Sequence, residues 1–334
     1  MAAHPQATGQ CWIRHRVCLA EEVFMRQGRN SCRVAQVALL VLLFGFAVQL
    51  KAQELDVRAY TNLPVGVNIL LLGYGRSVGN ILVDPSLPVE DLDARLNLWF
   101  VKYTRTIDFF GLSSTVAALM PFPSGHWEGI QTGVGRRERD LAGVADARFT
   151  FSVNFLGAPS LEARQFRSYH QGTIVGASFQ LIVPTGQYDG TKLINLGANR
   201  WGFRPEVGIS RAIGRWHVEA AGTLWLFTDN DDSFGGATLS QGALYALQGH
   251  LVYNFRPGFW LAFDAGYANG GTTTVDGTLL NTLQNNSRTG VTLQIPFGRR
   301  QGLRIAFNRG LATRIGADFD SFVMGYQFMW GGGL

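Results

Sequence analysis

From Ala145 to Phe155 the chain alternates without a break. Ala145, Ala147, Phe149, Phe151, Val153 and Phe155 are apolar, and Asp146, Arg148, Thr150, Ser152 and Asn154 between them are polar. Successive side chains of a β-strand point to opposite faces, so this run predicts a strand with one greasy and one polar face. Its eleven residues also suit a tilted strand crossing a bilayer, which needs about 9–11. The same rhythm recurs at Tyr245–Phe255, Phe259–Tyr267, Arg288–Phe297 and Ser321–Trp330. Read along the whole chain it predicts about twelve strands, at 68–78, 92–107, 111–122, 143–156, 172–184, 201–212, 216–228, 243–255, 259–269, 286–297, 302–310 and 319–330. Tight connections such as Arg256-Pro257-Gly258 alternate with long ones, apart from 157–171, which breaks the pattern.

These features predict an all-β fold, a closed antiparallel transmembrane β-barrel with short periplasmic turns and long extracellular loops. Closure follows from the solvent. In hydrocarbon every unpaired backbone N–H or C=O costs several kcal/mol, so a spanning sheet cannot keep an edge. An even strand count returns both termini to the periplasmic side. Phe149, Phe151, Phe155, Tyr253, Phe255, Phe259, Phe328 and Trp330 sit near predicted strand ends, where aromatic girdles form. Three features sit awkwardly. Pro205 cannot donate to a ladder and marks a bulge or a later strand start. Strand 92–107 carries large residues on both faces. The chain ends on Trp330 followed by three glycines and Leu334.

Charged residues make up 16% and hydrophobic ones 46% of the 334, with 41 Gly. That excludes a disordered chain and a coiled coil. Val34–Val48 is an uncharged apolar run of 15 residues, short for a helical span. Arg26, Arg29 and Arg33 precede it and Ala52 follows, the pattern of a secretory signal peptide. Residues 1–53 are thus expected to be a presequence, with the signal peptide at about 25–52 and the cut after Ala52. Met25 opens the basic leader, so 1–24 read as an upstream extension from a misassigned start. An uncleaved signal anchor is the competing reading. Residues 54–67 are expected to form a periplasmic lead-in that reaches back into the lumen, and 68–334 the barrel. All three cysteines, Cys11, Cys18 and Cys32, fall in the presequence. So do six of the 29 basic and two of the 24 acidic residues, which leaves the rest at net +1 and removes the argument for nucleic acid.

Motifs that carry chemistry are scarce. Gly73-Tyr74-Gly75-Arg76-Ser77-Val78-Gly79 misses dinucleotide-loop spacing by one and lacks a following helix, so it reads as a strand. Asp229-Asn230-Asp231-Asp232 is an acidic loop tip without the spacing of a calcium loop. His126, His170, His217 and His250 form no HxH or HExxH pair, so no metal or other cofactor is expected, and no Ser–His pair for a barrel lipase emerges. The candidate site is the lumen face itself, with Asp146, Arg148, Arg204, Glu206, His217, Glu219, Gln248, His250, Asp264, Arg288 and Arg304 pointing inward. Paired across a narrow barrel they plug it. Left apart they line a channel. Twelve strands favour the plug, because wide aqueous pores need about 16–18.

Several segments resemble the outer-membrane family described as "Putative MetA-pathway of phenol degradation". They include Arg58–Asn68, Asp84–Pro88, Asp146–Asn154, Pro184–Tyr188, Asn199–Trp201, Thr228–Asp231, Leu247–Phe255 and Trp330–Leu334. The likeness runs in order over about 55–334, and it accommodates Pro205 and the glycine-rich end. It implies a non-enzymatic outer-membrane channel or transporter for small hydrophobic or aromatic compounds. It also implies lipid and the export and barrel-insertion machinery as partners. The alternatives are a structural or adhesive barrel working through external loops at 123–142, 185–200, 230–242 and 270–285, and a lipid hydrolase.

Overall fold

The computed structural model describes residues 55–82, 89–131, 135–192 and 194–334. The expected presequence lies outside them. The strands are β1 (Val67–Leu82), β2 (Val89–Phe109), β3 (Leu112–Gln131), β4 (Gly135–Ala142), β5 (Ala147–Leu156), β6 (Thr173–Val183), β7 (Gly202–Ile213), β8 (Trp216–Phe227), β9 (Asn230–Ser233), β10 (Ala237–Gln241), β11 (Leu244–Arg256), β12 (Phe259–Gly270), β13 (Thr273–Val275), β14 (Thr278–Leu279), β15 (Gln284–Phe297), β16 (Gln301–Thr313) and β17 (Gly316–Gly331). Twelve of them, β1, β2, β3, β5, β6, β7, β8, β11, β12, β15, β16 and β17, close into one antiparallel barrel. The seam joins β1 to β17 in unbroken register from Val67↔Gly331 to Leu82↔Gly316.

Each expected strand lies within one of the twelve barrel strands or overlaps most of it. The outward residues are those the alternation assigned to lipid. Phe149 is 51% exposed, Leu247 63% and Phe263 52%, a belt that water would not tolerate on a monomer. β2 resolves its ambiguity by facing Trp99, Val101 and Tyr103 outward and burying Ala94 and Leu96. Rings gather at the end that carries the tight turns. Phe109 meets Phe110 and Phe151, Trp216 meets Tyr253, Phe255 meets Tyr253 and Phe259, and Trp330 meets Tyr103 and Phe328.

The structure corrects four expectations. Pro205 is no bulge: it stands opposite Phe179 in an unbroken β6–β7 register, and the β7–β8 ladder skips Arg204 and Pro205 but resumes at Glu206↔Thr223 in the register set by Gly202↔Phe227. The fourth expected strand begins at Ala147, not 143. Segment 123–142 is not a loop, because β3 continues to Gln131 and turns back as β4. Its buried Trp127 packs with Leu92, Ala94 and Leu96, which holds the ribbon beyond the length a bilayer needs. Segments 230–242 and 270–285 likewise contain β9, β10, β13 and β14, which join in a separate four-stranded sheet. Within it Asn230, expected on a solvated acidic tip, is buried and bonds Tyr188, Asn199 and Ala198.

Candidate functional site

Two pieces of chain occupy the lumen. The first is Leu55–Gly66, which forms no strand. It climbs inside from the turn-bearing end and is held by acceptors on the barrel wall. The backbone N–H of Asp56 donates to Gln248 Oε1 (3.1 Å), that of Arg58 to Glu219 Oε2 (2.9 Å), and Tyr60 Oη–H to Glu206 Oε1 (3.0 Å). Val57 is buried with Val252, Trp260 and Ala262, and Tyr60 with Ala158 and Ile174. The Tyr60 ring lies against Gly176 and Gly208, partners across β6 and β7. A Cβ would come within 2.3 Å of the ring at Gly176 and 2.2 Å at Gly208. These positions are bare because the ring fills them.

Burial raises the Asp56 carboxyl, but Lys102, Arg204, Arg304 and His250 outweigh it and hold the group below its usual value. Burial and the Glu206 carboxylate push the Tyr60 phenol well above its ordinary range. The segment therefore docks as an anion at Asp56 and a neutral donor at Tyr60.

The second piece is the β6–β7 connection. Its Ile194 and Leu196 pack on Ile81, Leu96, Trp127, Ile315 and Phe319 at the far mouth, where the two-residue Arg314–Ile315 connection joins β16 to β17 and is the exception to the long loops expected there. Asp146 pins this loop, accepting from Gly186 N–H (2.9 Å) and Ala198 N–H (2.9 Å). Asp146 thus precedes β5 and serves the loop, where the alternation placed it on a lumen-lining strand. Arg200, which leads into β7, stacks on Phe227 at 4.5 Å and bonds Gln241. Burial lowers its pKa to about 10 against the pull of Asp229 and Asp146.

The other expected residues fall on barrel strands, and the hydrogen bonds sort them. Glu206 is the hub: it accepts from Tyr60, Arg204 (2.8 Å), Thr223 (2.7 Å) and Gln248 (3.3 Å). Glu219 accepts from Arg58 N–H and Ser210. His250 Nδ1 meets Asp264 at 2.8 Å, and Thr292 donates to the same carboxylate at 2.7 Å. His250 Nε2 is buried with no hydrogen-bond partner among the described residues. His217 pairs with Asn254, and Arg304 donates to Gln294 while stacking on Trp260 at 5.3 Å. Arg288 reaches Phe319 O at 3.3 Å, and Arg148 is buried. Sequence reasoning missed Tyr60, Thr223, Trp225 and Asn286. The glycine pair at 176 and 208 was the available signal for Tyr60.

The family described as "Putative MetA-pathway of phenol degradation" matches residues 77–314. The chain belongs to it. A solved structure titled the COG4313 outer membrane channel from Pseudomonas putida F1 is 25% identical, with a TM-score of 0.70 over 83% of this chain and all of that one. The transport unit of the Escherichia coli autotransporter AIDA-I is 10% identical, with a TM-score of 0.46, and covers 88% of this chain and 97% of its own. The KdgM porin in complex with disordered oligogalacturonate is 8% identical, with a TM-score of 0.41 over 77% and 98%. No curated protein matches the sequence. This family member is an outer-membrane barrel with a channel fold.

Proposed function

We propose that the barrel passes small hydrophobic or aromatic molecules across the outer membrane, with the inward-facing charges at its lumen wall as the ligand path and no catalytic role. We further propose that export removes the chain up to Ala52. The observation that carries the channel reading is how the lumen is obstructed. Both Leu55–Gly66 and the loop bearing Ile194 and Leu196 lie outside the barrel ladder. Each can withdraw while all twelve strand pairings persist. Solute-swelling of proteoliposomes across a panel of neutral and charged aromatics tests it. Flux above that of protein-free vesicles supports the reading, and none for any solute refutes it.

A second reading, a permanently stoppered barrel whose external loops act, draws on the Glu206 hub that fastens Tyr60. Planar-bilayer recording separates the two, because a permanent stopper stays silent even when Tyr60 is truncated.

A further inference from the structure

Between β7, β8, β11, β12 and β15 the lumen keeps a cavity of about 20 Å³, room for one or two waters. Arg204, Trp225, Arg288 and Asn286 line it, and Leu55 closes one side. Leu55 lies over Gly266, where a Cβ would meet its Cδ2 at 2.8 Å. Donors and acceptors here are unevenly satisfied. The carboxylates of Glu206, Glu219 and Asp264 have their hydrogen bonds. Arg204 Nε, Arg288 Nε and Trp225 Nε1 are buried donors with no partner among the described residues, and each belongs to a residue lining the cavity. Arg204 and Arg288 are 8% exposed and Trp225 2%. A buried donor left unmade costs about 1–3 kcal/mol, so such a surplus is a standing demand for an acceptor.

The donors are also backed by rings. Arg204 stacks on Trp225 at 5.1 Å, with Arg200 on Phe227 nearer one mouth and Arg304 on Trp260 nearer the other. A guanidinium offers a planar fork that matches a carboxylate, and the rings beside it suit an aromatic body.

We propose that this cavity is the head-group site for an aromatic monocarboxylate, and that binding the ring requires Leu55, and with it the N-terminal segment, to withdraw. This rests on the channel reading and names its substrate as an anion. The test uses benzoate, its neutral isostere benzamide and benzylammonium, with calorimetric binding to the detergent-solubilised protein and swelling of proteoliposomes. Benzoate is expected to bind and cross at least tenfold better than benzamide, and benzylammonium worst. R288Q narrows the benzoate-to-benzamide ratio about tenfold. W225F, which keeps an aromatic ring but removes the N–H together with the indole's five-membered ring, narrows it less. Heat-modifiable gel migration confirms that each variant is folded. Equal handling of benzoate and benzamide, or a ratio unmoved in both variants, overturns the site. Solutes that cross without preference leave the channel reading standing and sink this one. Benzoate binding at wild-type strength with no flux does the reverse.

Discussion

The contact between Tyr60 and the wall can be broken from either side. Tyr60→Ala removes a buried ring, a truncation that costs about 3–5 kcal/mol in folded cores. It also removes the Oη–H donor to Glu206, although that carboxylate keeps Arg204, Thr223 and Gln248. Gly208→Ala leaves the segment's sequence intact but places a methyl where the ring now lies, 2.2 Å from its Cε2. Ordering Leu55–Gly66 costs on the order of 1–2 kcal/mol per residue, so the docked state has little surplus to lose. A loss of about 3 kcal/mol shifts docked against undocked about a hundredfold, at 1.4 kcal/mol per decade. Single-channel recording in planar bilayers reads that shift as open probability. Both variants should open the barrel, and Tyr60→Phe, which loses only the hydroxyl, about tenfold at most. Wild-type silence or wild-type conductance in both would refute the view that this segment closes the lumen.

Three further outcomes follow from other contacts. Because the Asp56 carboxyl is held below its ordinary value of 3.8, its contribution to docking is full above that value and lost as pH falls through the lowered one. Conductance should therefore be level from neutral pH down to the ordinary carboxylate range and rise only in stronger acid; a rise near pH 6 would contradict the assignment. Ile194→Asp, by burying a charge in the apolar cluster at the mouth, should detach that loop and raise conductance without altering heat-modifiable migration. Leu247→Arg, on the lipid face of β11, should cost about 2–4 kcal/mol in urea titrations of the liposome-inserted protein if it lies near the bilayer midplane.

The barrel was legible because lipid outside and water inside impose a two-residue period on every spanning strand. Asp146 shows the limit of that signal. The alternation runs one step past the start of β5, and nothing local distinguishes a lumen residue from one that turns to hold a loop. The short strands β9, β10, β13 and β14 have too few residues to show a period. The Leu55–Gly66 segment has none at all, because its partners are wall residues as far away as Gln248, 192 positions along the chain. Of the candidate site, the charged wall could be read from the alternation. The surplus of donors could not, since it depends on which carboxylates are already taken.

The seam has a temporal consequence. β1 and β17 are the first and last barrel strands, so the cylinder cannot seal until translation and export of the whole chain are complete. Asn68 already donates to Trp330 O across that join, directly beside the point where the chain turns inward. The wall around the stopper is therefore complete only once this join is made. A newly inserted molecule would pass through a brief leaky stage before it quietens.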